Sequence, residues 1–261
     1  EGYDANLTAL SGQLQERGID LALSNDEIAA MLEDGDAQTY NQDGTLKTDT
    51  PEFKAWFGDS KVVDENGEPL VVYHGTRSDF DRFERGIATK RYVMFDKIET
   101  ASNGFFFSPS SEDARNYGGN VGAYYLRVEK PLARPSADDT QMRQDMLYIF
   151  EPIVEPTLDV NGEADGGWSV DTDGGTSTAQ GEGADALIDV LFEGGLVDWG
   201  WLDNAEVVKR ARERGYDGAQ VYEPEDDSGF SWFVLSPNQI KSVNNRGTFD
   251  ANDPRILYQG L

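Results

Sequence analysis

The amino-acid sequence predicts an α+β fold, in which several short and mostly antiparallel strands pack against helices gathered on one side. Short apolar runs bounded by turn residues are typical of strands, and capped segments with apolar residues three or four positions apart are typical of helices. With 261 residues and a hydrophobic content of 38%, the chain is long enough to bury a core.

The N-terminal residues 1–48 are predicted to form a helical extension that ends in a polar linker. Apolar residues recur at helical spacing in NLTALSGQL and DEIAAML, as on two short amphipathic helices. The stretch DGDAQTYNQDGTLKTDT is rich in turn-forming residues, which places a boundary near Thr48. Because the first residue is Glu1 rather than methionine, we expect the chain to be a processed piece of a longer polypeptide.

Residues 49–261 are predicted to form one compact unit that begins with a short helix in TPEFKAWFG. Thr50 is a candidate N-cap, Pro51 suits the first helical position, and Gly58 closes the helix. The turn DENGEP then leads into a strand at Leu70–His74.

More strands and a short helix follow in the first half of this unit. The predicted strands are Arg91–Phe95, Phe105–Ser108 and Ala123–Glu129. Between the last two, Ser110 or Ser111 can cap a short helix that Gly118 ends.

The middle of the unit, residues 134–204, is predicted to be an irregular insertion. DDTQMRQDMLYIF and GADALIDVLFEGGL have helical character, and a Gly-, Asp- and Thr-rich stretch separates them. A helix capped by Asn204 and stopped by Gly215 follows. It leads to strands at Ala219–Tyr222 and Ser231–Leu235, which the acidic loop EPEDDSGF separates.

The chain is strongly acidic, with 22 basic and 49 acidic residues and a formal net charge of −27. A field of this sign repels phosphate backbones and therefore disfavours non-specific binding to nucleic acid. The charge fits a plain role in solubility. It also fits a surface that imitates DNA and occupies a basic partner, and the composition leaves both interpretations open.

The residue inventory excludes several kinds of chemistry. The chain has no cysteine and a single histidine, so thiolate nucleophiles and disulfides are excluded, and a zinc site would need three carboxylates. No apolar run approaches the ~20 residues of a membrane span. We therefore expect neither a metal ion nor a membrane partner.

The single histidine, His74, ends the apolar run PLVVYH and is followed at once by Gly75 and Thr76. A histidine at a strand end is often an ordinary surface or core residue. Phe105–Phe107 can likewise be the core of a buried strand, and Tyr117 can pack a helix on a sheet. Residue type alone does not decide between these interpretations and a functional site.

Four segments occur in an order that carries more information than any one of them. They are YHGT, GFFFSPSSEDARNYG, GYDGAQVYEPEDDSGFSWFVLSPNQIKSV and NRGTFDANDPRILYQ. Together they resemble an ADP-ribosyltransferase domain of the kind embedded in phage polyvalent proteins and polymorphic toxins. The resemblance is to the broad His-Tyr-Glu branch, which includes diphtheria toxin and the poly-ADP-ribose polymerases. It runs from about Thr50 to Gln259 and implies split, mostly antiparallel sheets with peripheral helices.

The resemblance implies that NAD is the co-substrate, and it assigns roles by position. His74 would hydrogen-bond a ribose hydroxyl of NAD, and the backbone of Gly75 would pair with the nicotinamide carboxamide. Thr76 would support that turn. Phe106 and Tyr117 would provide two aromatic faces around nicotinamide, which would stack on the ring and exclude water.

Two more residue roles follow from the same resemblance, and the net charge indicates the class of acceptor. Ser108 would contact the ribose or the amide, and Arg77 would meet the diphosphate. No metal is implied. The acidic surface favours a basic protein over nucleic acid as the host acceptor. The implied setting is the cytoplasm of a host cell, with the protein acting as a phage or toxin effector.

The sequence departs from the family pattern at the third residue of the triad. The glutamate normally opens a late strand and stabilises the oxocarbenium-like transition state, whereas the alignment puts Ser231 at that place. A serine can hydrogen-bond the ribose but supplies no negative charge. The preceding loop offers the acids Glu223, Glu225, Asp226 and Asp227, among which Glu225 is taken as the catalytic candidate. The same acids also fit a plain solvated turn.

The sequence thus predicts a mono-ADP-ribosyltransferase that cleaves the nicotinamide–ribose bond of NAD. Water would be the acceptor when no macromolecular target is present. The alternative is a degenerate NAD-binding module, or an acidic module that mimics DNA, without turnover.

Overall fold

The computed structural model describes most of the chain from residue 47 to residue 256. The described residues are 47–77, 82–84, 88–93, 96–101, 103–158, 161, 163–172, 175–179, 188, 191–193, 196–223, 228–245 and 249–256. The two helices expected before residue 47 lie outside them, and so does Glu225. No helix in this described part combines the length and apolarity that a bilayer crossing requires.

Five α-helices have both of their ends among the described residues, and each of them starts from a capping side chain. The helices are α1 (Pro51–Phe57), α2 (Ser111–Arg115), α3 (Thr140–Phe150), α4 (Trp199–Leu202) and α5 (Ala205–Glu213). In chain order, the side chains that accept a backbone N–H of the first turn are Thr50, Ser110, Asp139, Asp198 and Asn204. The caps predicted at Thr50, Ser110 and Asn204 are confirmed.

Fourteen strands lie in the described ranges. They are β1 (Val72–Thr76), β2 (Ala88–Val93), β3 (Asp96–Ala101), β4 (Phe105–Phe107), β5 (Asn120–Leu126), β6 (Pro131–Leu132), β7 (Val154–Leu158), β8 (Ala164–Thr172), β9 (Gly175–Ala179), β10 (Phe192–Glu193), β11 (Leu196–Asp198), β12 (Gly218–Tyr222), β13 (Phe230–Val234) and β14 (Ile240–Ser242).

Two central sheets organise the fold. The first has the order β1-β5-β14 and is antiparallel throughout. The second has the order β10-β11-β12-β13-β4, with β6 also paired to β12. In this second sheet only β11 and β6 run parallel to their neighbour β12. Mostly antiparallel sheets with separate helices confirm the predicted α+β class.

Two smaller sheets complete the described strands. The strands β2 and β3 form an antiparallel pair, and β7, β8 and β9 form an antiparallel sheet. The second of these lies within residues 134–204, where the sequence predicts an irregular insertion. Backbone pairing gives β8 and β9 regular structure despite their glycines, and the buried Val170 attaches β8 to the core. The helix predicted in DDTQMRQDMLYIF is confirmed as α3.

The core has three parts. Helices α3, α4 and α5 cover one face of the second sheet, where Ile149 and Val207 pack with Phe233. A second cluster lies between the two central sheets and contains Val72 from the first and Phe107 from the second. The third cluster packs α1 against the first sheet.

The third cluster is built from aromatic rings. Phe53 of α1 lies with its ring centroid 5.0 Å from that of Tyr125 in β5 and 5.0 Å from that of Phe249. Both contacts are edge-to-face, the arrangement that the ring quadrupoles favour. The cluster therefore joins α1, β5 and the C-terminal segment.

Two polar side chains near the end of the chain hold separate backbone segments together. The amide nitrogen of Gln239 donates to the carbonyls of Arg127 and Asp217, both at 2.8 Å. The ammonium of Lys241 is fully buried and donates to the carbonyls of Asp253 at 2.5 Å and Arg255 at 3.1 Å. These bonds fix the turn after β13 and the C-terminal segment.

Candidate functional site

The two central sheets are joined by a backbone bridge and diverge directly beyond it. Tyr73 donates its N–H to the carbonyl of Ser108 at 2.7 Å, and Ser108 donates its own to the carbonyl of Tyr73 at 2.9 Å. Continuing this register would pair Gly75 with Phe106. Instead, Nδ1 of His74 lies 2.8 Å from the Phe106 carbonyl oxygen, so the imidazole stands where the sheets separate.

The contacts of the His74 imidazole determine its position, its tautomer and its protonation. Its ring centroid lies 5.0 Å from that of Phe83 and 5.3 Å from that of Phe107. Because a carbonyl oxygen only accepts, Nδ1 carries the ring hydrogen, and Nε2 is the acceptor of the neutral ring. Burial lowers the pKa of His74, and the hydrogen bond to the Phe106 carbonyl offsets only part of that shift. His74 is therefore neutral at neutral pH.

Gly75, the next residue of β1, lies under α2. Strand alternation directs its N–H and carbonyl to the same edge as those of Tyr73, away from β5. On its face, a Cβ atom would lie 1.8 Å from the carbonyl oxygen of Ala114. A Cβ on Gly118 would lie 2.2 Å from the carbonyl carbon of Thr76. Two glycines thus allow α2 and the turn after it to lie directly on β1.

Tyr117 lies in that turn. Its N–H donates to the carbonyl of Ala114 at 3.1 Å, which is the carbonyl that faces Gly75. The backbones of Gly75 and Tyr117 are therefore neighbours. The Tyr117 side chain is 60% exposed and is the one large apolar side chain found exposed among the described residues.

Ser108 and Ser231 lie side by side on neighbouring strands. The register of β4 and β13 pairs Phe106 with Phe233 and, one step beyond the paired residues, places Ser231 opposite Ser108. Both serines are buried, with 4% of Ser108 and 5% of Ser231 exposed. The Phe106 ring packs on Phe233 at 4.7 Å between centroids. Phe106 thus reaches His74 through its carbonyl, while its ring joins the core.

Three predicted site residues remain, and two of them belong to the described part of the chain. Thr76 ends β1 and is half-buried, and Arg77 follows it with its side chain exposed. Glu225 lies outside the described residues. Among the described residues, no three His, Asp or Glu side chains are placed to hold a metal ion.

Asp113 is a buried acid at the same place, and it is not among the site residues predicted from sequence. The residue is 4% exposed, and its Oδ2 accepts from Ser228 Oγ at 2.9 Å, Ser228 N at 3.3 Å and Ser108 Oγ at 3.3 Å. An acid in the first turn of a helix is common, so local sequence gives no sign of this burial. The contact with Ser228 joins residues 115 positions apart.

The groups gathered here are suited to binding a planar amide and a sugar. An N–H and a carbonyl on one strand edge match a carboxamide, and an exposed aromatic ring matches a flat heterocycle. A neutral imidazole and two hydroxyls match sugar hydroxyl groups.

The sequence and the structure of the chain can be compared with those of known proteins. No curated protein matches the chain in sequence. The chain is similar to a solved structure described as "Crystal structure of an anti-CRISPR protein", with 15% identity over 64% of this chain and 89% of that chain. The TM-score of 0.31 is too low to support a statement about the fold. The sequence model of the family described as "ADP-Ribosyltransferase in polyvalent proteins" matches residues 64–249, more than two thirds of the chain. This chain therefore belongs to the family of ADP-ribosyltransferase domains found in polyvalent proteins.

Proposed function

We propose that this protein is a mono-ADP-ribosyltransferase, which cleaves the nicotinamide–ribose bond of NAD and transfers ADP-ribose to a macromolecule. The observation that supports this most is the convergence of three groups at the point where the central sheets diverge. They are the imidazole of His74, the backbone edge of Gly75 and the backbone of Tyr117, whose side chain is exposed.

Gly75 and Tyr117 hold the leaving group in this proposal. The N–H and carbonyl of Gly75 pair with the carboxamide, and the Tyr117 ring stacks on the pyridinium. The bond between the anomeric carbon and the ring nitrogen breaks, and its electron pair stays with nicotinamide, which departs neutral. A site that excludes water favours this redistribution of charge. The acceptor contributes a lone pair to the anomeric carbon and releases its proton to solvent.

His74 and the two serines hold the sugar. Nε2 of the neutral His74 accepts a hydrogen bond from a ribose hydroxyl, and the hydroxyls of Ser108 and Ser231 bond the same sugar. Thr76 supports the turn after β1, and the exposed Arg77 is available to the diphosphate. Each bond that strengthens as positive charge develops on the sugar lowers the barrier.

Tyr117 provides the sharpest test because its side chain is exposed and contributes little to the core. Tyr117→Ala is expected to keep its melting temperature within about 2 °C of the parent, since exposed side chains are usually worth less than about 0.5 kcal/mol. Loss of stacking, about 1–3 kcal/mol, should lower kcat/KM for nicotinamide release by about 5- to 150-fold.

The measurement follows nicotinamide release from NAD, with transfer of label from labelled NAD to proteins of a host lysate. Tyr117→Phe is the matched control and should retain activity, whereas His74→Ala should lose it. A parent protein that neither releases nicotinamide nor transfers label contradicts the proposal. So does a Tyr117→Ala variant as active as the parent.

A basic protein is the proposed acceptor, acted on in a host cell by what we take to be a phage or toxin effector. The net charge of −27 attracts basic surfaces over long range. Label transfer should therefore fall as salt rises from about 50 to 500 mM, because the Debye length shortens several-fold. Hydrolysis of NAD without acceptor should change less. An equal salt dependence of both reactions contradicts this choice of acceptor.

The second candidate function is binding of NAD without turnover. It is favoured by the neutral, buried Ser231 at the place of the family's acid. Calorimetry with NAD, combined with the nicotinamide assay, separates the two functions. Binding without release supports this second candidate, and release at a measurable kcat contradicts it.

A further inference from the structure

The proposed reaction benefits from negative charge near the ribose, and Ser231 supplies none. A carboxylate is nevertheless buried close by. Asp113 of α2 is 4% exposed, and a buried charge costs free energy unless hydrogen bonds compensate for it. The role inferred below for this acid rests on the proposed function, because it concerns the sugar of the same reaction.

The hydrogen bonds of Asp113 orient the Ser108 hydroxyl. Ser108 Oγ accepts the N–H of Ser110 at 3.0 Å and lies 3.3 Å from Asp113 Oδ2, to which it donates. A hydroxyl has one hydrogen and two lone pairs. With its hydrogen on Asp113 and one lone pair on Ser110, Ser108 has its second lone pair available to a donor such as a ribose hydroxyl.

Ser108 is also the residue at which the two sheets meet. Its backbone is bridged to Tyr73, two residues before Gly75, and Ser231 stands opposite it on β13. A ribose hydroxyl bonded to Ser108 Oγ at about 2.8 Å would lie no more than about 6 Å from Asp113 Oδ2. The carboxylate is thus one hydroxyl away from the proposed sugar position.

We propose that Asp113 is a positioning residue that acts through Ser108 and supplies the negative charge that Ser231 lacks. It orients the Ser108 hydroxyl. It also polarises a chain of two hydrogen bonds, which runs from the ribose hydroxyl through Ser108 Oγ to Asp113 Oδ2. Linked hydrogen bonds of this kind strengthen one another in surroundings of low dielectric constant. As the sugar becomes cationic, these linked hydrogen bonds to the ribose hydroxyl become stronger.

The size of the effect depends on charge and distance. A full charge about 6–8 Å from the developing cation, at an effective dielectric constant of about 20, changes the rate by roughly 10- to 100-fold. The sugar gains its charge only in the transition state. The loss should therefore fall on kcat, while KM for NAD changes less than about threefold.

The test uses the full chain and the nicotinamide assay with kcat and KM measured separately. Asp113→Asn keeps the size of the side chain and removes its charge, so kcat should fall about 10- to 100-fold. Glu112→Gln, an exposed acid one residue earlier in α2, is the matched control and should behave like the parent. Ser108→Ala should lower kcat about as much as Asp113→Asn. The double variant should lose little more, since both changes interrupt one chain.

Several results would overturn the inference. If Asp113→Asn has the same kcat as Glu112→Gln, Asp113 has only a structural role through its hydrogen bonds to Ser228. The same conclusion follows if the fold-losses in kcat of the two single variants multiply in the double variant. If Asp113→Asn does not fold, Ser108→Ala becomes the test. An unchanged kcat in Ser108→Ala contradicts a role for the hydrogen bonds that link Asp113, Ser108 and the ribose. A parent protein without nicotinamide release contradicts the proposed function itself and removes the basis of this inference.

Discussion

Replacing Gly75 by alanine is expected to push α2 away from β1. The new Cβ would lie 1.8 Å from the carbonyl oxygen of Ala114, 2.7 Å from its carbonyl carbon and 3.2 Å from the nitrogen of Gly118. All three atoms belong to backbone, so no rotamer change can relieve the contact. The helix or the strand must therefore shift by more than about 1 Å to restore van der Waals separation.

The expected loss is large for a single methyl group. Overpacking costs about 1–3 kcal/mol where side chains can adjust, and here backbone has to move. We therefore expect the free energy of unfolding to fall by about 4 kcal/mol. For a domain of this size, each kcal/mol lowers the melting temperature by roughly 2–4 °C, which gives a fall of roughly 8–16 °C.

Urea denaturation followed by tryptophan fluorescence measures this loss, and Gly119→Ala is its control. A Cβ at Gly119 meets nothing within 4 Å, so that variant should stay within about 0.5 kcal/mol of the parent. If Gly75→Ala and Gly119→Ala unfold at the same urea concentration, α2 does not lie on β1 as described. The arrangement of Tyr117 beside Gly75 would then be refuted as well.

Three further predictions concern other parts of the fold. Burial lowers the pKa of His74 in the folded protein below the unfolded value of about 6.5. The contribution of the neutral ring to the free energy of unfolding is therefore present above about pH 6.5 and is lost as the pH falls through the pKa of the folded state. Urea midpoints should therefore fall more steeply below pH 6.5 in the parent than in His74→Gln, and parallel curves contradict this. Lys241→Met should cost about 1–3 kcal/mol, because two carbonyls lose their donor. Lys54→Met, which removes an exposed ion pair, should cost less than about 0.5 kcal/mol, and equal losses in thermal unfolding contradict the reasoning. Asn204→Ala should cost about 1 kcal/mol in the same assay through loss of the α5 cap, and an unchanged midpoint contradicts it.

Sequence predicts best where the cause of a structure is local. Thr50 and Pro51 start α1 as expected, because a cap and a fixed φ angle act within one turn. Gly215 ends the turn after α5 with a φ of 78°, which its position in the sequence also indicates. The strand that ends near His74 is predicted from its apolar residues, two positions from its observed bounds.

The parts that sequence does not predict depend on distant partners. Asp113 resembles any acid in the first turn of a helix, and one of the partners that bind its buried carboxylate is Ser228, 115 positions away. The single backbone bridge between Tyr73 and Ser108 is set by where β1 leaves β4, which no local pattern encodes. The glycines of β8 and β9 favour loop conformations locally, yet pairing of β8 with β7 and of β9 with β8 gives these segments strand geometry.

The aromatic cluster around Phe53 determines how much of this chain has to be produced for a soluble sample. The family match begins at residue 64, after α1, and ends at residue 249, before the carbonyls of Asp253 and Arg255. A protein trimmed to the matched residues would expose the Tyr125 ring and leave the Lys241 ammonium without acceptors. Expression boundaries should therefore enclose at least residues 47–256, and shorter versions are expected to precipitate rather than report on activity.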